Sequence, residues 1–185
     1  MNNVALFGHM GSGKTTIADV LSRKGYQRIS FAGPLKAVAE LAYGKIDKGQ
    51  DYEVVDNITG LPVRISGREI LQGVGQTIKG VDRDFWLRCF QRTANTFEGT
   101  PMVVDDGRFL FEFEAIKRMG WLTVGINTHP SVRIQRYTSV YGRPPTEAEL
   151  NHQSEVEVPA ILNRCDIIIQ GTDDPYANVR KILGE

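Results

Sequence analysis

The sequence predicts an α/β fold of three layers, a parallel five-stranded sheet flanked by helices, with two inserted regions. Three observations predict it. Short apolar runs alternate along the chain with segments whose apolar residues recur at helical spacing, the pattern of parallel strands joined by right-handed crossovers. The first run, Val4-Ala5-Leu6-Phe7, passes straight into Gly8-His9-Met10-Gly11-Ser12-Gly13-Lys14-Thr15 and then into a segment with Ile17, Val20 and Leu21 on one helical face. Strand, glycine-rich turn and helix in that order is the context in which G-x-x-x-x-G-K-S/T reads as a phosphate-binding loop. Finally, 185 residues suit one domain with a substantial core.

The elements follow in order. Gly25 ends the first helix, and Tyr26 to Phe31 reads as the second strand. Pro34 suits the opening of a helix whose stripe is Leu35, Val38, Ala39 and Ala42. Residues 44–66 are polar and turn-rich, with a turn at Thr59-Gly60-Leu61-Pro62, and read as an inserted, mobile segment. A helix over Gly67–Ile78 carries Ile70, Val74 and Ile78. Asp84 caps the next, with Trp86, Phe90, Thr93 and Phe97 on one face. Met102-Val103-Val104 is a buried strand, followed by a helix from Phe109 to Met119 with Phe109, Phe113 and Ile116 inward. Trp121–Ile126 is the fourth strand and Asp166–Ile169 the fifth. Between them lie a basic, turn-rich stretch from Thr128 to Leu150 and a mixed one from Asn151 to Arg164. Asp174 caps and Pro175 opens the last helix, lined by Tyr176, Val179 and Leu183.

Composition excludes several classes. Lys plus Arg and Asp plus Glu both number 22, so the net charge is zero and a broad footprint for a nucleic-acid polymer is not expected. Hydrophobic residues at 41% and charged residues at 24% are ordinary for a soluble globular protein. Cys89 and Cys165 lack metal-ligand spacing and read as reduced, buried apolar residues. No apolar stretch approaches the roughly 20 residues of a membrane span. The chain enters its first strand with no signal peptide, so the expected location is the cytoplasm.

Ligands of parallel α/β sheets bind at the carboxyl ends of the strands. That rule gathers the first loop, Ser30–Lys36 and Asp105–Arg108. In the loop, the expected nucleotide contacts are Gly8, Met10, Gly11, Ser12, Gly13, Lys14, Thr15 and Thr16. Glycines there let backbone N–H groups converge on one anion, and the helix N-terminus adds more donors. Lys14 would reach the β- and γ-phosphates of ATP, and Thr15 would hold Mg²⁺. Asp105 and Asp106 close a strand and point opposite ways, so one of them faces the metal. The sequence leaves open which; Asp106 is the candidate named beside Thr15. Arg108 stands where a bidentate phosphate grip is useful. Arg133 and Arg136 share a helical face on a flap hinged at Thr128-His129-Pro130 and Gly142-Arg143-Pro144-Pro145, as suits phosphoryl transfer. His129 and His152 are isolated and take no metal role.

With these residues in place, the chain resembles the phage-type deoxynucleoside monophosphate kinases, within the wider nucleoside monophosphate kinase-like P-loop group. The resemblance rests on Gly8–Thr15, Phe31-Ala32-Gly33-Pro34-Leu35-Lys36, Arg68–Gly75 followed by Asp84-Phe85-Trp86, Val103–Arg108 and His152-Gln153-Ser154-Glu155. It implies transfer of the ATP γ-phosphoryl to a deoxynucleoside monophosphate, giving the diphosphate and ADP, with Mg²⁺ as cofactor; related enzymes are often dimers, and the sequence leaves the oligomeric state, homodimer or otherwise, open. It implies that Arg68 and Arg108 hold the acceptor phosphate, and that Phe31, Ala32, Leu35, Lys36, Gln72, Trp86 and Asp106 shape the acceptor site. Lys14, Arg108, Arg133 and Arg136 are the implied catalytic residues, and Gly171 and Thr172 lie where the group packs adenine. The implied layout is one kinase domain with its core at 1–30, 100–127 and 164–185, an acceptor region at about 31–99 and a lid at about 128–152. One departure stands out: the family's third-strand signature reads Asp-Thr-Arg, and here it is Asp106-Gly107-Arg108. Rival readings are a P-loop kinase for another phosphorylated small molecule, of the phosphomevalonate or dephospho-coenzyme A kinase type, and a nucleotide-binding switch protein with no acceptor.

Overall fold

A computed structural model describes residues 2–185. The chain divides into two compact units, one formed by the residues up to Ser30 with Ala94–Glu185, the other by Phe31–Thr93.

The first unit is built on a parallel sheet of five strands: β1 Val4–Phe7, β2 Gln27–Ile29, β5 Met102–Val104, β6 Leu122–Asn127 and β7 Ile167–Gln170. Their order is β2-β5-β1-β6-β7. β1 lies at the centre, with Val4 beside Val103 on one side and Leu122 on the other. All four β1 residues are buried. That fits a parallel strand covered on both faces, which reads as a continuous apolar run rather than an alternating one. Helix α1, Lys14–Arg23, buries Ile17, Ala18, Val20 and Leu21 against this strand's neighbours, and Val179 and Ile182 of α10, Pro175–Leu183, join the same cluster. Truncating a fully buried member such as Leu6 or Leu21 to alanine costs roughly 2–5 kcal/mol. Helix α5, Leu110–Arg118, turns Phe113 inward, where its ring meets Phe7 edge-on at 5.2 Å.

The basic, turn-rich stretch after β6 contains the helix that carries Arg133 and Arg136. Helix α6 spans Pro130–Tyr141 and α7 spans Glu147–Leu150. Three groups tie the two together. Tyr137 donates to Glu149 at 2.8 Å, and Arg143 forks onto the same carboxylate at 2.8 and 2.9 Å. His129 and His152, isolated in sequence, are helix caps: their Nδ1 atoms accept the Ser131 and Ser154 amides at the starts of α6 and of α8, Gln153–Val156. Helix α9, Val158–Leu162, completes the path to β7. Cys89 and Cys165 are free and half-buried rather than fully buried.

The second unit departs from three expectations. Residues 44–66, expected as a mobile insertion, contain an antiparallel hairpin, β3 Asp51–Val55 paired with β4 Pro62–Ser66. Its turn is held by the Asp56 carboxylate, which accepts the Ile58 and Thr59 amides at 2.9 and 2.7 Å. The hairpin hides in the sequence because only alternate residues of β3 are even half-buried. Helix α2, Gly33–Tyr43, forms as expected, but Val38 and Ala42 of its predicted stripe are exposed and Ala39 alone is buried. Ala39 packs with Ile46, Ile70 and Leu71, flanked by Leu35, Tyr43 and Ile65. Helix α3, Gly67–Val81, starts in a capping box between Ser66 and Glu69. Helix α4, Phe85–Thr96, begins beside Asp82, whose carboxylate accepts the Asp84 amide at 3.1 Å and pairs with Arg88; Asp84 accepts the Arg88 amide at 2.9 Å with its backbone carbonyl, and among the described residues its side chain makes no capping bond.

Candidate active site

The phosphate loop takes the shape its glycines permit. Gly11 and Gly13 sit at φ +70° and +102°, a left-handed region that costs other residues about 1–2 kcal/mol. Gly13 is the N-cap of α1, so the first amides of that helix point out of the loop. Lys14 folds back over it. Its ammonium donates to Gly8 O at 2.6 Å and His9 O at 2.8 Å. Burial, aided by the charge on Arg108, brings the Lys14 pKa down to about 8, while Glu155 and Asp105 act the other way. Two guanidinium charges, Arg108 and Arg133, thus act on one ammonium at the loop, an arrangement that an anion relieves.

The end of the loop meets the end of β5. Thr15 Oγ1 donates to Asp105 Oδ2 at 3.1 Å. Arg28 from β2 forks onto the same carboxylate, Nε to Oδ1 at 3.0 Å and Nη2 to Oδ2 at 2.5 Å. Asp106 faces the other way and accepts the Ser30 hydroxyl at 2.6 Å. Of the two adjacent carboxylates it is therefore Asp105, not the candidate Asp106, that stands beside Thr15. Hydroxyl and carboxylate oxygens are the hard donors that Mg²⁺ takes, alongside phosphate oxygens and water. No cluster of three or more His, Cys, Asp or Glu side chains able to hold a metal exists among the described residues. A divalent ion at Thr15 and Asp105 would therefore depend on ligands brought by a nucleotide.

Gly107 explains the departure from Asp-Thr-Arg. A Cβ at this position would lie 2.7 Å from the ring of Phe7, which is fully buried. The large side chain at the end of β1 thus excludes a threonine from β5's exit. Arg108 follows, with its amide on the Glu112 carboxylate at 2.6 Å and its side chain exposed. Burial drives the Glu112 pKa up to about 7 against the pull of the Arg108 amide and of the Phe109 amide, which bonds the same carboxylate at 3.0 Å.

Helix α6 is seated on the loop. A Cβ on Gly11 would fall 2.5 Å from Arg133 O. Arg136 donates through Nη2 to Gly171 O at 2.8 Å and through Nη1 to Gly11 O and Ser12 O, both at 3.4 Å. Thr128 Oγ1 adds a bond to Ser12 O at 2.9 Å. Beside Arg136 lies a cavity of about 260 Å³, bordered by Gly13, Thr16, Gly171 and Thr172. Ser12 Oγ and Arg133 Nε are buried without a partner among the described residues. Orphaned donors of this kind fit a site shaped for a polar ligand.

The comparisons bear on the fold. Shikimate kinase from Aquifex aeolicus vf5 is similar over 98% of this chain and 94% of its own, at 19% identity and a TM-score of 0.57. TT1252 from Thermus thermophilus is similar over 99% and 96%, at 16% identity and 0.66. Dephospho-CoA kinase from Campylobacter jejuni is similar over 98% and 92%, at 16% identity and 0.51. No family model and no curated protein matches the chain. The fold is that of the P-loop kinases.

The predicted residues divide between the units. In the first, Gly8, Met10, Gly11, Ser12, Gly13, Lys14, Thr15, Arg108, Arg133 and Arg136 belong to one cluster around the loop, and Thr16, Gly171 and Thr172 border the cavity. In the second, Arg68 and Gln72 are exposed one turn apart on α3, and Lys36 is exposed on α2. Phe31 is buried and stacks on Phe90 with ring centroids 4.0 Å apart, and Trp86 donates to Gly75 O at 3.1 Å. Two residues at the loop were not among the candidates. Arg28 carries no motif: it stands exposed in the short strand Gln27–Ile29, with nothing local to mark its partner. Glu155 lay inside the quoted His-Gln-Ser-Glu segment without a role, and its carboxylate accepts the Met10 amide at 3.0 Å. No helix among the described residues is long and apolar enough to cross a membrane.

Proposed function

We propose that the chain is an ATP-dependent kinase that phosphorylates a small molecule, and that its acceptor is a deoxynucleoside monophosphate. The observation that carries the kinase reading is the cluster at the loop: buried Lys14 under the charges of Arg108 and Arg133, with Thr15 joined to Asp105. Mg²⁺, where bound, would neutralise phosphate charge at Thr15 and Asp105. The adenosine of ATP would lie in the cavity at Gly171 and Thr172, and Lys14 would meet its terminal phosphates. Arg108, exposed at the strand's end, would take the anionic acceptor, and Arg133 would offer its unpartnered donor to the group in transfer. A phosphate acceptor oxygen is already anionic, so alignment and charge neutralisation suffice without a general base.

The acceptor reading rests on the resemblance of Phe31–Lys36, Arg68–Gly75 and Asp106–Arg108 to deoxynucleoside monophosphate kinases. A second reading, transfer to a different small molecule, is favoured by the solved structures, which include a shikimate kinase and a dephospho-CoA kinase. A coupled ADP-release assay decides between them. Mg·ATP is supplied with each deoxyribo- and ribonucleoside monophosphate, with shikimate and with dephospho-coenzyme A. Stimulation by deoxynucleoside monophosphates supports the first reading. Stimulation by shikimate or dephospho-coenzyme A alone supports the second. Slow hydrolysis with no stimulation refutes an acceptor enzyme for these substrates.

A further inference from the structure

A carboxylate sits among the cations of the phosphate loop. Glu155, on α8, has a side chain only 5% exposed. Both of its oxygens receive the Met10 amide, at 3.0 and 3.2 Å, and Oε2 lies 2.8 Å from His9 Nδ1. Arg133 Nη1 stands 3.8 Å from the same oxygen, an ion pair without a hydrogen bond. Glu155 acts by charge on Lys14, which is also faced by Arg108, Arg133 and Asp105. Burial alone would raise the Glu155 pKa, but His9, the Met10 amide and Lys14 outweigh it and hold the carboxyl below its usual range. Glu155 is therefore an anion resting against a loop amide, beside a lysine and an arginine. The loop amide and the lysine are groups that receive a phosphate in a loop of this type.

We propose that Glu155 is a specificity-determining residue for the donor: its charge at the loop selects a nucleoside triphosphate that arrives complexed with a divalent cation over the uncomplexed polyanion. This rests on the kinase reading above. A permanent carboxylate beside Lys14 repels phosphate oxygens. The repulsion scales with the charge brought in, so it weighs more heavily on free ATP than on Mg·ATP. Lys14, Arg108 and Arg133 outnumber the carboxylates of Glu155 and Asp105, so the complex is still attracted. Direct binding also requires that Glu155 not be a mere scaffold for the Met10 amide. Glutamine distinguishes these roles, because it keeps the shape and a carbonyl acceptor for that amide while removing the charge.

The test is isothermal titration of the purified chain with ATP, once with excess Mg²⁺ and once with EDTA, for the wild type and Glu155→Gln. Thermal melts establish that each protein is folded. The expected result is that Glu155→Gln tightens metal-free ATP by at least about tenfold and Mg·ATP by about threefold or less, so that the preference for the complex shrinks. Glu155→Asp and Glu155→Asn, a shorter pair differing only in charge, repeat the contrast should the glutamine variant not fold. An unchanged ratio between the two forms of ATP overturns the assignment, as does weaker binding of both, which is the signature of a scaffold. A wild type that binds neither form overturns the kinase reading itself.

Discussion

Thr15 Oγ1 donates to Asp105 Oδ2 across 3.1 Å, joining the phosphate loop to a strand end 90 residues away in sequence. The same carboxylate carries both bonds of the Arg28 fork and is 8% exposed. It is therefore fixed before any ion arrives, which is what a metal-orienting group requires. Asp106, bonded to Ser30, is held by a different part of the chain. The two substitutions should separate. Asp105→Asn removes the buried carboxylate that Arg28 forks onto, leaving it only the exposed Asp19 at 2.8 Å, and should lower unfolding free energy by about 1–3 kcal/mol, together with a higher Mg²⁺ concentration for half-maximal ATP binding. Asp106→Asn should leave the Mg²⁺ requirement within twofold, roughly the spread of a surface change. Urea unfolding and a Mg²⁺ titration at fixed ATP read both. Equal Mg²⁺ dependence in the two variants would remove Asp105 from the proposed metal site.

Lys14→Ala should lose at least roughly 100-fold in turnover, the scale on which one charge-stabilising donor is removed from a transfer site. The fold should survive, because the ammonium is a costly buried charge whose two carbonyl partners belong to the open loop. Circular dichroism and ADP release are the measurements. Wild-type turnover would refute the donor site.

Arg108→Ala addresses the acceptor. Its guanidinium is exposed and forms no ion pair among the described residues, so its loss should cost little stability. The acceptor KM should rise by about tenfold or more, as for loss of one charge-assisted phosphate contact, with the ATP KM changed far less. Initial rates with each substrate varied in turn would show it. A matching rise in both constants would count against an acceptor role.

The parts of this molecule legible in sequence are those whose chemistry is local. The phosphate loop announces itself because Gly8, Gly11, Gly13, Lys14 and Thr15 are each demanded by backbone geometry or by the anion. The strands Val4–Phe7 and Met102–Val104 are legible because burial on both faces makes them continuous apolar runs. Long-range partners are not legible. Nothing near Arg28 says that it will fork onto Asp105, and nothing near Glu155 says that it will meet Met10, because both pairs are made by strand order and helix placement. His129 and His152 show no role in the sequence for a related reason: a ring nitrogen can cap a helix as a carboxylate does, a use that no spacing rule marks. The hairpin at Asp51–Ser66 was hidden because its half-buried face gives only a faint alternation.

Gly11 tests how closely α6 must sit on the loop. Its φ is +70° and a Cβ would collide with Arg133 O at 2.5 Å. Gly142 ends α6 at φ +69° with nothing within 4 Å of its Cβ position. Alanine at Gly142 should cost only the left-handed strain, about 1–2 kcal/mol. Alanine at Gly11 should cost the same strain and also push the Arg133 backbone away, lowering ATP affinity. Comparison of the two by thermal melt and ATP titration isolates the collision. Equal ATP affinity in both variants would show that the loop and α6 need not be in contact.

Asp166 gives the stability of the sheet a pH dependence of definite sign. Its carboxylate, at the entry to β7, accepts the Thr123 amide at 2.9 Å, the Thr123 hydroxyl at 2.7 Å and the Lys117 ammonium at 2.6 Å. Burial opposes ionisation, but these three bonds outweigh it and hold the pKa at about 2, against 3.8 ordinarily. A folded-state pKa below the unfolded one means that the unfolded chain binds the proton first as pH falls. The stabilisation is therefore full above about pH 4 and disappears as pH drops through about 2. The raw shift corresponds to about 2 kcal/mol, but the side chain is 36% exposed and solvent screens the pair, so about 1 kcal/mol is expected. Asp166→Asn should thus be less stable than the wild type by about 1 kcal/mol near pH 7, and the gap should narrow between about pH 4 and pH 2. Urea unfolding at several pH values measures it. A gap that holds constant down to the lowest pH would assign the effect to hydrogen-bond shape rather than to charge, because asparagine differs from the protonated acid only in shape and donors once the carboxyl is neutral.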